Sequence, residues 1–305
     1  MSLKQEKNIL WMSVAAAILF SGAGIVLGML FQSQMILFDG LYSLISVALS
    51  YVSLMAAAFM AKSDWKRYPF GKDIVEPLVV LFKYTVILIL IAGSAAAAVT
   101  ALFQGGRDMQ VGPAFAYSFV GLLACGAVTM YLHKRAKRSE SALLKAESNQ
   151  WLMDTLVSTG VFAGFLVAFV LDVFQWFPAF IPYVDPLMVL LVSLYFLKFP
   201  LKEMRAALKE VLEMSPDGAV RSRMEETLQE LAGEYGVEES FLRMTKVGRT
   251  IWVEIDIVAP ETSPLNSLTK QDEMRSKLSS VLTGAAPKKW LTVSFMADRH
   301  WALDE

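Results

Sequence analysis

Over roughly the first two hundred residues the chain is apolar at nearly every position, in runs at about 9–31, 34–61, 74–102, 113–132, 148–171 and 180–200. A helix of about 20 such residues crosses the hydrocarbon of a bilayer, so the pattern predicts six transmembrane helices. The first run follows the basic start "MSLKQEK" and invites comparison with a signal peptide. It exceeds the 7–15 apolar residues of a signal sequence and further spans follow it, so it reads as an uncleaved first helix. Beyond about residue 200 the pattern changes. "SPDGAVRSRMEETLQELAGEY" predicts a helix starting at Ser215-Pro216-Asp217. "FLRMTKVGRTIWVEIDIVAP" predicts two strands around a Val247-Gly248-Arg249 turn, with Ile251, Val253, Ile255 and Ile257 alternating along the second. "SLTKQDEMRSKLSSVLT" predicts another helix and "KWLTVSFMAD" a last strand. An αββαβ order implies a small α+β sandwich with both helices on one face of a three-stranded sheet. The expected division is 1–205 for the membrane domain and 206–305 for the second domain.

Charge then orients the spans. Lys4 and Lys7 precede the first helix, and Lys62, Lys66, Arg67 and Lys72 lie between the second and third. His133, Lys134, Arg135, Lys137, Arg138 and Lys145 lie between the fourth and fifth, and Lys198, Lys202 and Arg205 follow the sixth. The opposite side carries only Arg107. Positive residues stay in the cytoplasm, which places both termini there. Phe174, Trp176, Phe177 and Phe180 would form an interfacial belt at the outer end. Composition agrees with a membrane protein: 55% of residues are hydrophobic and 19% charged, against about 25% charged in soluble domains. The net charge of -1 gives no footprint for nucleic acid. A single cysteine, Cys125, rules out an intrachain disulfide and reads as a packing residue.

Two carboxylates stand inside the spans, where an ionised group is costly and marks a functional site. Asp39, in "FDGLYSLIS", has Ser43 four residues on; Asp154, in "NQWLMDTLVSTG", has Gln150 four residues before. Residues four apart share a helix face. Two helices, each offering a carboxylate and a neutral oxygen, can converge on a four-oxygen cation site. The competing reading pairs an intramembrane aspartate with Lys83 to fix packing. Glu147, before Gln150, is either an entry-side ligand or a helix-start charge.

These segments together resemble the cation diffusion facilitators, membrane antiporters that export divalent transition metals. "DGLYSLIS" is similar to the family's second-helix metal motif, and "YPFGKDIVEPL" to the His-Pro-Phe-Gly-His-x-x-x-Glu stretch that opens its third helix. "SALLKAESNQWLMDTLVSTGV" is similar to the fifth-helix His-x-x-x-Asp segment, including Ala146, Asp154, Ser158 and Gly160-Val161. "VDPLMVLLVSLYFL" resembles the sixth helix, opening with Asp-Pro, and "VLEMSPD" the linker that follows. The resemblance implies a homodimer with a ferredoxin-like, metallochaperone-like cytoplasmic domain for dimerisation or regulation. It also implies alternating access around Asp39, Ser43, Gln150 and Asp154, coupled to proton movement; the expected location is the plasma (inner) membrane of a bacterium. No tightly bound cofactor is implied; the partners are lipid, a divalent cation and protons.

The departures from the family pattern change the expected cargo. Zinc-type members carry His or Asp where this chain has Ser43 and Gln150, and zinc prefers nitrogen and sulfur ligands. Carboxylate, amide and hydroxyl oxygens suit a harder ion, Mn²⁺ first and then Mg²⁺ or Fe²⁺. A zinc or cobalt exporter is the alternative, as is a membrane metal sensor that transports nothing. Without histidine, proton coupling falls to Asp39 and Asp154, since no other titratable pair is evident in the spans. Tyr68 and Lys72 replace both third-helix histidines, so a metal site there is lost, and Asp64 and Asp73 are expected to pair with Lys62, Lys66 and Arg67. In the tail Asp272, Asp298 and His300 are candidates for a peripheral metal site, against a plain dimerisation surface. No Ser/His/Asp set, metalloprotease motif or nucleotide loop points to an enzyme.

Overall fold

A computed structural model describes residues 3–62, 64–137, 142–216 and 218–303. Arg138 and Asp217 lie outside the described residues, as do the side chains of Lys4, Lys7, Lys145 and Ala146. The chain begins with six long helices: α1 (Leu3–Leu30), α2 (Gln34–Ala61), α3 (Val75–Phe103), α4 (Val111–Ala136), α5 (Ala142–Val173) and α6 (Ile181–Val211). Among the described residues all six are long and apolar enough to cross a membrane. The helices outrun the apolar stretches. α6 passes Pro200 and continues through "LKEMRAALKEV" to Val211. Leu, Lys, Glu, Met and Ala are strong helix formers, so the helix persists after its hydropathy falls.

The chain divides into two compact units, residues 1–54 with 83–201, and residues 55–82 with 202–305. In the first, Met35, Ile36 and Phe38 of α2 pack with Ile87 and Ile91 of α3, Phe165 of α5 and Val189 of α6. α1 and α2 meet almost backbone to backbone. A Cβ added to Gly40 would stand 2.6 Å from the Ile25 nitrogen, and one on Gly28 would stand 2.5 Å from the Leu37 nitrogen. Small residues permit this approach between helices that have no hydrophobic drive to associate in lipid.

The second unit holds α7 (Ala219–Tyr235), β1 (Glu239–Val247), β2 (Thr250–Val258), α8 (Leu268–Val281) and β3 (Lys288–Met296). This is the αββαβ order. β1 pairs antiparallel and β3 parallel with the central β2, so Val253 faces Met244 on one side and Leu291 on the other. Ile251, Val253, Ile255 and Ile257 pack against Met224, Leu228 and Leu231 of α7 and Met274 and Leu278 of α8. Both helices therefore cover one face of the sheet. Gly248 makes the β1–β2 turn at a left-handed φ of 55°, which glycine adopts without steric cost. α7 starts at Ala219, after Gly218 as its N-cap, two residues past the predicted turn. On the other face Trp252 and Trp290 stack 4.9 Å apart, and Phe70 from the α2–α3 loop packs on both.

That loop corrects one expectation. Among the described residues Asp73 makes no ion pair with Lys62, Lys66 or Arg67; it bonds Lys288 at 3.1 Å and accepts a hydrogen bond from the Thr250 hydroxyl. Its carboxylate is only 12% exposed. Asp64 accepts the backbone N–H of Arg67 at 3.2 Å. The reason is tertiary: the β1–β2 hairpin and the start of β3 reach the loop, and a buried carboxylate takes the partners that replace its lost water.

Candidate functional site

Asp39 and Ser43 stand in the first three turns of α2, both half-buried. The start of that helix is fixed from α6. The fully buried Asp185 accepts the Ser33 hydroxyl at 2.6 Å, the Gln34 N–H at 2.9 Å and the Met35 N–H at 3.1 Å. Ser33 Oγ in turn accepts the Ile36 N–H at 3.2 Å. A helix start leaves its first N–H groups without partners and carries partial positive charge. A carboxylate answers both needs. Asp185 is thus a further carboxylate within the spans, with a structural role that Asp-Pro at a helix opening does not signal, because its partners lie some 150 residues away.

Asp154 is half-buried on α5 and Gln150 is exposed. The fold brings the carboxylates of α2 and α5 close enough for their charges to interact, and Glu147 lies within the same range of Asp154. Tyr42 of α2 and Cys125 of α4 also lie within range of both Asp39 and Asp154. Cys125 accepts a weak hydrogen bond from Ser158 Oγ at 3.8 Å and is 7% exposed. It packs as expected, and it also brings a thiol to a neighbourhood otherwise furnished with oxygen. Nothing in the local sequence of α4 signals this, because the contact is made across helices. Lys83 lies 5.9 Å from the Tyr84 ring centroid, and among the described residues no ion pair joins it to Asp39 or Asp154. Glu147 accepts the Ser13 hydroxyl at 2.5 Å, which binds it to α1.

The remaining candidates are dispersed. Asp272 is exposed and bonded to Arg275 at 2.7 Å. Asp298 accepts the His300 N–H at 2.9 Å, capping a short turn after β3, and the His300 ring meets Trp301 edge-on. Among the described residues no group of three or more His, Cys, Asp and Glu is arranged to hold a metal. In the α2–α3 loop Lys72 is buried, donates to the carbonyls of Phe59 and Lys62, and lies over the rings of Phe59 and Tyr68. Both histidine replacements of the third-helix motif therefore serve one cation–π contact.

Comparison with known proteins gives two findings. The family described as "Cation efflux transmembrane domain" matches residues 10–212. The magnetosome protein MamM of Magnetospirillum gryphiswaldense is 23% identical over 262 residues, covering 85% of this chain and 79% of its own. MamM of Paramagnetospirillum magneticum is 24% identical over 260 residues, covering 84% and 78%.

Proposed function

The chain belongs to the cation efflux family, the cation diffusion facilitators, and from that premise we propose that it exports a divalent metal cation in exchange for protons. The family makes it an integral membrane transporter of divalent metals, not an enzyme. Asp39, Ser43, Gln150 and Asp154 are the proposed cation ligands, and Asp39 and Asp154 the proton carriers. The observation that supports the reading is that Asp39 of α2 and Asp154 of α5, far apart in the chain, lie within electrostatic range of each other. Two like charges are held near each other in an apolar span only if something positive visits them. A dication or protons satisfy that demand alternately, which is the basis of exchange by alternating access.

The donor set offers two carboxylates, an amide and a hydroxyl. These are hard oxygen ligands, so the proposed order is Mn²⁺, then Mg²⁺ or Fe²⁺. A second reading, a Zn²⁺ or Co²⁺ exporter, draws its support from Cys125, whose sulfur lies within reach of the charges of both carboxylates. We further propose that the protein is a homodimer with both termini in the cytoplasm, in a bacterial plasma membrane. Uptake of Mn²⁺, Mg²⁺, Fe²⁺, Co²⁺ and Zn²⁺ by proteoliposomes of the full chain tests the cargo. Mn²⁺ is expected to be taken up with the highest kcat/KM, and a strong preference for Zn²⁺ would overturn the order. Binding without uptake of any ion would mark a sensor instead.

A further inference from the structure

Trp151 lies between the two proposed α5 ligands in sequence and is 4% exposed. Three contacts hold it. Its indole Nε1–H donates to Ser13 Oγ of α1 at 2.6 Å. Its ring meets Phe20 of α1 edge-on, with centroids 6.0 Å apart. Its carbonyl accepts the Thr129 hydroxyl of α4 at 2.8 Å. Ser13 is fully buried and donates its own proton to Glu147. One hydroxyl on α1 therefore ties two successive turns of α5, accepting from one and donating to the other.

The geometry of α5 makes this tie consequential. The helix is continuous over Ala142–Val173. At about 100° per residue, Asp154 stands about 20° from Glu147 around the axis, with Trp151 about 40° to one side and Gln150 about 60° to the other. A ligand oxygen about 6 Å from the axis moves about 2 Å when the helix turns by about 20°. That displacement equals a whole metal–oxygen bond for a small hard dication, about 2.0–2.1 Å. To the packing of α5 against its neighbours the committed hydroxyl adds a directional restraint, since a hydrogen bond weakens steeply when its angle is lost.

We propose that Ser13 and Trp151 are positioning residues of the cation site, fixing the rotation of α5 so that Gln150 and Asp154 face Asp39 and Ser43. Neither residue touches the cation. The inference rests on the α2–α5 site reading above, and the test separates the two. Equilibrium Mn²⁺ binding to the purified full chain is measured by calorimetry, beside thermal unfolding without metal, for Ser13→Ala, Trp151→Phe, their double variant, Ser13→Thr and Asp154→Asn. Loss of outer-shell support costs about tenfold or more in metal affinity. Each single variant is expected to weaken Mn²⁺ binding about tenfold, the double no more than the weaker single, and Ser13→Thr to recover much of the loss. A role in packing alone would lower the melting temperature and leave the affinity of the folded protein unchanged, which overturns the proposal; so does an additive loss in the double. Should Trp151→Phe fail to fold, Ser13→Ala against Ser13→Thr carries the same comparison. If Asp154→Asn keeps full affinity, the site itself is wrongly placed; if only Asp154→Asn loses it, the site stands and the positioning role falls.

Discussion

Lys72 occupies a position where the family motif has a histidine, and its surroundings make it a structural cation. Its ammonium donates to the Lys62 carbonyl at 2.8 Å and the Phe59 carbonyl at 3.3 Å, at the end of α2. It also lies 4.3 Å from the Phe59 ring centroid and 4.8 Å from that of Tyr68. The last carbonyls of a helix have no partner of their own and carry negative charge, so a lysine there is doubly favoured. Hydrogen bonds to a charged group contribute about 1.5–3 kcal/mol, and a desolvated cation–π contact up to about 2 kcal/mol. Lys72→Met is expected to destabilise its unit by about 2–4 kcal/mol, read as a lower melting temperature and faster proteolysis of the α2–α3 loop; an unchanged melting curve would refute the capping role. The sequence alone marks Lys72 as a basic loop residue, which is correct for its charge and silent about its burial. Cys125 is the second residue of this kind. If its sulfur tunes the site, Cys125→Ser lowers Zn²⁺ transport relative to Mn²⁺ by several-fold, and an unchanged ratio removes the thiol from the account.

Among the elements, α2 is the one whose placement matters most, because it carries Asp39 and Ser43 and is held at its start and along its flank. Asp185 satisfies its first N–H groups from α6. Asp185→Asn leaves one acceptor oxygen for three donors, and the expected cost is about 2–3 kcal/mol with the helix start loosened. Hydrogen exchange of the Gln34 and Met35 amides reads this directly; unchanged protection would contradict the capping assignment. Gly40→Ala should be more severe, since the new methyl would meet the Ile25 backbone at 2.6 Å and neither helix can yield without moving Asp39. The existence of every span was legible, since a run of apolar residues this long has few other destinations. The alternation of Ile251 to Ile257 likewise revealed the buried face of β2. What the pattern could not reveal were the contacts between distant elements: Asp185 on α2, Asp73 on the hairpin, Ser13 on α5. Each is a polar pairing set by three-dimensional packing, and a polar residue in sequence announces a need for a partner without naming it.

At the scale of the molecule, a six-helix membrane unit and a three-stranded sheet backed by two helices fit the cation efflux family. The spacing of the proposed ligands, Asp39/Ser43 and Gln150/Asp154, is a feature of the chain itself, because helical periodicity puts residues four apart on one face. The identity of the cargo is a question of donor chemistry on which the fold is neutral. Metal binding requires deprotonated carboxylates, so cation affinity should fall as pH drops and protons take the place of the ion. The most direct test measures Mn²⁺ flux and proton counterflow together in proteoliposomes, for the native chain, Asp39→Asn and Asp154→Asn. The account predicts coupled flux in the native protein and loss of both fluxes, by about a hundredfold or more, in each variant. Metal-dependent proton flux that survives either substitution would contradict the assignment of the two aspartates as the shared seat of cation and proton.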